Sequence, residues 1–268
     1  MKLINDIESS DGTRKFLVEL DDKNKIECVA IFHKRTICAC VSSQVGCAMN
    51  CSFCATGKMG FKRNLSSDEI LSQLDLIEEK INQKITNVVF MGMGEPLNNY
   101  ESVIESIKKM NERGFSWKKI TVSTVGIPDK IVQLGKDSKC RLAISLHAPN
   151  DILRSKLVPA NKAYSISEVI NACKQFSTNS HNPIMIEYVL IKDVNDNCAE
   201  ELCDLLKALP YVMVNLIPCN PGEFLPPSEA TIEAFKKVLV DAGYKTIIRT
   251  QKGIDSSAAC GMLATKDL

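Results

Sequence analysis

From about Thr86 to Arg249, short apolar runs alternate with longer stretches in which apolar residues recur every three to four positions. That is the pattern of repeated strand-helix units around a parallel sheet. The strand candidates are Asn87 to Met91, Lys119 to Ser123, Arg141 to Ser145, Ile184 to Leu190, Val212 to Ile217 and Thr246 to Arg249. Such an array predicts an α/β fold, a partial (β/α)6 barrel. Helix ends are readable from their caps. Ser66 followed by Glu69 forms a capping box, after which Ile70, Leu74, Ile77 and Ile81 share one face. Pro128 suits the first turn of a helix through Leu134. Ser228 caps a segment reaching Ala242, with Ile232, Phe235, Val238 and Leu239 as its apolar side. Ahead of the first unit, Lys15 to Leu20, Lys25 to Phe32 and Thr36 to Val41 read as short strands, with Asp21 to Asn24 as a polar turn. One domain is expected over residues 1–268: a small N-terminal β-extension at 14–42, the partial barrel at 43–250 and a C-terminal loop at 251–268.

With 45% hydrophobic residues in 268, the chain can bury a sizeable core. Lys plus Arg number 33 against 32 Asp plus Glu, so the formal net charge of +1 offers no global field for a polyanion. Any RNA contact must be local. Lys34, Arg35, Lys58, Lys62 and Arg63 flank a cysteine-rich loop, and Lys108, Lys109, Arg113, Lys118 and Lys119 lie nearby in sequence, although solvated surface lysines explain such sets equally well. No apolar run reaches the roughly 18–20 residues of a membrane-spanning helix. Met1 to Thr13 has neither the basic start nor the apolar run of a signal peptide, so a cytoplasmic location and no membrane partner are expected.

Twelve cysteines in a chain without export signals point to metal or redox use rather than a disulfide framework. Cys28, Cys140, Cys173, Cys198 and Cys203 read as ordinary packing or surface residues. Cys47, Cys51 and Cys54 differ, because they place their thiols in one short loop between a strand-like run and a capped helix. Three thiolates bind three irons of a cubane cluster and leave the fourth iron open to a chelating ligand. The competing reading, structural zinc, asks for a fourth ligand, for which His33, Cys38 or Cys40 would have to be recruited.

Further constellations stand at strand ends. Gly94 and Glu95 follow the strand ending near Met91, where parallel-sheet enzymes place ligands, and a carboxylate there suits a cationic amine. Ser123, then Ser145, Leu146 and His147, then Asn215 fall at the ends of successive candidates and offer hydroxyl, imidazole and amide groups to one barrel mouth. Near the C-terminus, Cys260 sits among small residues that leave its thiol accessible as a nucleophile. Cys40, ahead of Cys47, is a second thiol for the same cavity.

The spacing Cys47-x3-Cys51-x2-Cys54 with Phe53 resembles the hallmark of the radical S-adenosylmethionine (SAM) superfamily. Cys40-Val-Ser-Ser-Gln-Val-Gly-Cys47, Gly60-Phe-Lys-Arg-Asn-Leu65, Gly-Glu-Pro-Leu97, Ser-Leu-His147-Ala, Leu-Val-Pro159-Ala-Asn-Lys162 and Ala-Ala-Cys260-Gly together resemble the dual-specificity ribosomal and transfer RNA adenine methyltransferases of the RlmN and Cfr family. The likeness spans about Ser9 to Leu263 and lacks the family's usual N-terminal accessory domain. Ile254, Ser256 and Met262 stand where the family usually has an acid, an isoleucine and a glutamine.

The resemblance implies one 4Fe-4S cluster on Cys47, Cys51 and Cys54, and SAM used twice per turnover, its methionine amine gripped by Glu95. It implies methyl transfer to adenine carbon 2 in ribosomal and transfer RNA through methylated Cys260, with Cys40 resolving a protein-RNA crosslink as a disulfide with Cys260 forms. It further implies an external one-electron donor such as flavodoxin or ferredoxin, and a monomer. Two rival functions stay open: a radical SAM enzyme acting on a non-RNA substrate, and a catalytically idle iron-sulfur or RNA-binding relative.

Overall fold

The polar N-terminal stretch carries no strand signal of its own, yet it forms β1 (Lys2–Glu8) in the computed structural model, which describes residues 1–180 and 183–265. No residue of β1 is fully buried, so its sequence has no need to alternate; antiparallel pairing with β2 (Arg14–Glu19) holds it. β2 pairs antiparallel with β3 (Lys25–His33), and β3 with β4 (Thr36–Cys40). A separate hairpin of β5 (Gln44–Gly46) and β6 (Phe61–Asn64) brackets the cysteine loop and the short helix α1 (Ala55–Lys58).

Helix α2 (Ser67–Ile81) starts at the expected capping box and buries Ile70, Leu74, Ile77 and Ile81. β7 (Asn87–Phe90), α3 (Tyr100–Glu112) and β8 (Ile120–Thr124) follow. β4 pairs parallel with β7, and β7 with β8. Thr36–Cys40, expected only as part of the β-extension, therefore also opens the parallel array. These elements, up to Ser123, and the segment from Lys252 form one compact unit, without Cys51–Phe53.

Cys51–Phe53 and Thr124–Gln251 form the second unit. Its elements are α4 (Pro128–Asp137), β9 (Arg141–Ser145), α5 (Asp151–Leu157), α6 (Ile166–Ser180), β10 (Ile184–Leu190), α7 (Ala199–Leu206), β11 (Val212–Pro218), α8 (Glu229–Asp241) and β12 (Lys245–Ile248). β9 through β12 lie side by side in chain order, all parallel. Their register sets Ser145, Glu187 and Asn215 in one row across three strands, so side chains of one face meet there. β10 is buried along its whole length, which is why its sequence runs apolar without alternating. Pro128 begins α4, which runs on to Asp137, and Ser228 caps α8, whose Ile232, Phe235 and Leu239 are buried while Val238 is half-buried. Among the described residues no helix is long and apolar enough to cross a membrane.

Candidate active site

In the first unit the β5–β6 hairpin closes the cysteine loop, with the Cys47 N–H donating to the Gly60 carbonyl at 3.0 Å. Gly46 lies at φ +74°, and a Cβ there would stand 1.8 Å from the Gly60 oxygen, so only glycine allows this approach. Burial pushes the Cys47 thiol up to about 12; the Glu95 carboxylate and the Cys54 thiol push the same way, and the Met49 N–H opposes them. A carboxylate and a second thiol thus crowd a desolvated thiol, an arrangement that a bound cation relieves by deprotonating the sulfur.

Glu95 reaches that neighbourhood because Gly94 adopts φ +102°, where a Cβ would come within 2.5 Å of the Gln44 side chain. The buried Glu95 donates its N–H to Gln44 Oε1 at 2.8 Å, and its Oε1 accepts from the Leu97 N–H at 2.9 Å. Gln44 Nε2 donates in turn to Asn64 Oδ1 at 2.8 Å. Ser123 is half-buried near the end of β8.

The C-terminal loop belongs to the same unit and is pinned at several points. Gly253 N–H donates to Asp11 Oδ2 at 3.0 Å, Ser10 N–H donates to Asp255 Oδ2 at 2.9 Å, and the Ser9 and Ser256 hydroxyls share a hydrogen bond. Ala55 N–H donates to the Gly261 carbonyl at 2.7 Å, and Thr56 Oγ1 to the Leu263 carbonyl at 2.7 Å. Ala258, Ala259 and Leu263 are buried, and Cys260 alone among the twelve cysteines is exposed. Cys40 is buried at the end of β4, and no cysteine is disulfide-bonded, so the Cys40–Cys260 bridge implied by the resemblance is not formed.

In the second unit, Phe53 of the cysteine loop sets its ring edge-on to His147, with centroids 4.8 Å apart. His147 takes a left-handed backbone, φ +62°, unusual for a residue with a Cβ. Two bonds hold it there: Val189 N–H donates to His147 Nδ1 at 3.1 Å, and Asn195 Nδ2 donates to its carbonyl at 2.8 Å. Because Nδ1 accepts, the ring proton belongs on Nε2. Burial, and then the Arg154 charge, lower its pKa to about 3, so the imidazole is neutral at physiological pH.

That shift sets a pH dependence. A histidine depressed from 6.5 to about 3 stabilises the fold fully above 6.5, and the contribution is lost as pH falls toward 3, because the unfolded chain binds the proton first. Urea unfolding from pH 7 to 4.5 is expected to lose up to about 1.4 kcal/mol per pH unit more in the wild type than in His147→Gln. Equal slopes would contradict it.

Besides Lys15, sequence reading missed three buried charged groups. Glu187, between Ser145 and Asn215 in the strand row, accepts from Asn215 Nδ2 at 2.7 Å, while its Oε2 is buried without a hydrogen-bond partner, 3.9 Å from Arg249. Burial raises its pKa, against the Arg249 charge and the Asn215 bond. Glu27 on β3 pairs with Lys15 at 2.9 Å and also accepts from the N–H groups of Ala264 at 2.8 Å and Thr265 at 3.2 Å. Arg154 on α5 is the third. An acidic or basic residue inside an apolar run was the available signal for Glu27 and Glu187. Asn215 lies mid-strand rather than at a strand end, and Leu146 offers backbone, its N–H donating to the Glu187 carbonyl at 3.1 Å.

Several cations of the expected basic surface are already paired: Arg63 with Asp22 and Glu69, Lys109 with Asp68 and Glu105, Arg113 with Asp75. Among the described residues no three His, Cys, Asp or Glu side chains converge as ligands of a single ion would. A cubane cluster asks for less convergence, since each thiolate binds a different iron.

Comparison with known proteins gives a concordant picture. Residues 41–206 match the radical SAM superfamily. The chain is 48% identical over 264 residues to a probable dual-specificity RNA methyltransferase RlmN of Thermotoga petrophila, covering 96% of this chain and 77% of the relative. Its counterpart in Thermotoga neapolitana is 48% identical over 268 residues, covering 97% and 78%. A crystal structure of a radical SAM methyltransferase from Sphaerobacter thermophilus superposes with a TM-score of 0.95 at 41% identity, covering 99% of this chain and 81% of that one. Streptococcus suis SuiB bound to S-adenosylmethionine shares the fold alone, with a TM-score of 0.60 at 14% identity over 81% of this chain and 51% of that one. The α/β partial-barrel fold expected from the sequence is thus the one these structures share.

Proposed function

The chain belongs to the radical SAM superfamily and, within it, to the RlmN family of RNA methyltransferases, and from that premise we propose that it methylates carbon 2 of adenine in ribosomal RNA, and in transfer RNA, with Cys260 as the methyl carrier. One observation carries this reading: Ala55, directly after Cys54, is hydrogen-bonded at 2.7 Å to Gly261, directly after the exposed Cys260. The loop that presents a reactive thiol is stapled to the helix that follows the last cluster cysteine.

Cys47, Cys51 and Cys54 would hold the 4Fe-4S cluster; the Glu95 carboxylate and the Cys54 thiol beside the desolvated Cys47 suit a cation-rich group there. Glu95, on its glycine turn, would grip the methionine amine of SAM. Ser123, Ser145, Leu146, His147 and Asn215 would line the rest of the cofactor, and Glu187 Oε2, which accepts no hydrogen bond, leaves a buried acceptor that suits a hydroxyl or amino donor. When bound, cluster and SAM supply a one-electron cleavage to methionine and a deoxyadenosyl radical.

Adenine carbon 2 is electron-poor and does not attack a sulfonium methyl, so the carbon must arrive by another route. The Cys260 thiolate takes the methyl of one SAM, its sulfur-carbon bond forming as the sulfonium bond breaks. Cys260 would carry that carbon to the ring, the hydrogen abstraction it needs being chemistry that the cluster and a second SAM would supply, and Cys40 would be the second thiol assisting release of the methylated base. A flavodoxin or ferredoxin would supply the electron.

The test is anaerobic reconstitution with methyl-labelled SAM, a chemical reductant and RNA, followed by mass spectrometry of the nucleosides. Label at carbon 2 of adenosine is the expected result. Deoxyadenosine without labelled RNA would favour a non-RNA substrate, and a loaded cluster with no deoxyadenosine would favour an idle relative.

A further inference from the structure

Among the described residues Arg154 is the largest side chain that is fully buried, at 1% exposure. Its Nε donates to the Leu146 carbonyl at 3.0 Å, Nη1 to Asn161 Oδ1 at 2.9 Å, and Nη2 to the carbonyls of Ser145, at 3.1 Å, and Val125. Every acceptor is neutral. Among the described residues no carboxylate lies within ion-pair distance of it; Asp151 is reached only through Asn161, whose Nδ2 donates to Asp151 Oδ1 at 2.9 Å. A guanidinium taken out of water without a counter-charge costs several kcal/mol, and carbonyl dipoles offset that only in part.

What lies beside it is the cysteine loop. The Ser52 N–H donates to the Leu157 carbonyl at the end of α5 at 3.0 Å, so the peptide next to Cys51 is tied to the helix that carries Arg154. Burial lowers the Arg154 pKa to about 10, which leaves it charged at neutral pH, and Cys51 stands first among the groups near enough to act on that charge, ahead of Asp151 and Cys173. Burial pushes the Cys173 thiol up to about 12, so it supplies no anion.

We propose that Arg154 is the fixed counter-charge of the iron-sulfur cluster, its buried guanidinium compensating the anionic assembly on the Cys51 side and making one-electron reduction easier. The inference rests on the cluster assignment under the proposed function. A fixed cation beside a cluster stabilises the reduced form, which carries one more negative charge, over the oxidised form. Arginine suits the task because it stays protonated and its planar fork binds several carbonyls at once. The same bonds tie the strand-end backbone of Ser145 and Leu146 to the loop at Val125, so Arg154 is a positioning residue too, and its two roles must be separated.

The experiment is potentiometric titration of the reconstituted cluster, followed by electron paramagnetic resonance, in wild type, Arg154→Lys, Arg154→Met and Asn161→Ala, with thermal unfolding of each protein before and after loading. Arg154→Met is expected to load iron and to shift the midpoint to more negative potential. Arg154→Lys keeps the charge and should stay near the wild type, as should Asn161→Ala, which removes one hydrogen bond and no charge. Cluster loading should raise the unfolding temperature by less in Arg154→Met than in the wild type. An Arg154→Met potential equal to that of the wild type, or a common shift in all three variants, would overturn the proposal and leave a structural staple. If Arg154→Met fails to fold, Arg154→Gln takes its place: a midpoint more negative than that of Arg154→Lys supports the charge argument, and one equal to it refutes the argument. Wild-type protein that takes up no iron-sulfur cluster would refute the cluster assignment instead.

Discussion

Replacing Cys260 by alanine is expected to reduce methyl transfer to RNA to the detection limit while leaving iron content, the cluster spectrum and reductive cleavage of SAM at wild-type levels. Cys260 is the exposed thiol; the other eleven cysteines are buried or half-buried, so none offers a substitute carrier. The loop keeps its shape without the sulfur, because its anchors are backbone and neighbouring groups: the Gly261 and Leu263 carbonyls on Ala55 and Thr56, and the Gly253 N–H on Asp11. An exposed side chain of this kind contributes within about 0.5 kcal/mol to stability. Mass spectrometry of the Cys260 peptide should find a methyl group in wild type treated with SAM. Labelled 2-methyladenosine formed by Cys260→Ala would rule out this carrier, and a lost cluster would show that the residue acts on the metal site instead.

The second large effect is expected at Glu27. Glu27 and Lys15 are 1% and 4% exposed and 2.9 Å apart, and the same carboxylate accepts the N–H groups of Ala264 and Thr265. Glu27→Ala strands a buried ammonium, which costs about 3–5 kcal/mol, and removes the acceptor that ties down the chain beyond Cys260. Denaturant unfolding should show the loss, and limited proteolysis should cut more readily after Gly261. A double replacement, Lys15→Met with Glu27→Leu, is expected to recover most of the stability, since a buried pair replaced by apolar groups is often neutral. It should not recover protection of the tail, whose backbone N–H groups still lack their acceptor. Protection fully regained in the double variant would mean that the carboxylate does not hold the tail.

These residues mark where sequence reading stopped. Strands β7 to β12 were legible within about a residue at each end, because a buried parallel strand leaves a short apolar run whatever surrounds it. The capping box at Ser66 was legible because its hydrogen bonds join Ser66 to Glu69 within one helical turn. Likewise Cys47, Cys51 and Cys54 announce themselves, since thiol chemistry and spacing are local properties. By contrast β1 was invisible, its only support being a neighbouring strand. The buried charges were equally hidden, for a lone Arg, Glu or Lys in sequence reads as solvated.

The chain by itself therefore determined the order of strands β7 to β12, the starts of α2, α4 and α8 and the spacing of its candidate cluster thiols, all of which follow from contacts a few residues apart. Tertiary structure alone decided that Thr36–Cys40 serves both antiparallel and parallel partners, and that His147 is neutral with Nδ1 occupied by Val189. It alone decided that Arg154 is enclosed by acceptors from residues 125, 145, 146 and 161. The physical reason is the same in each case: the energy of a charge or an edge depends on what surrounds it in space, and those surroundings come from parts of the chain too distant to leave a mark in local pattern.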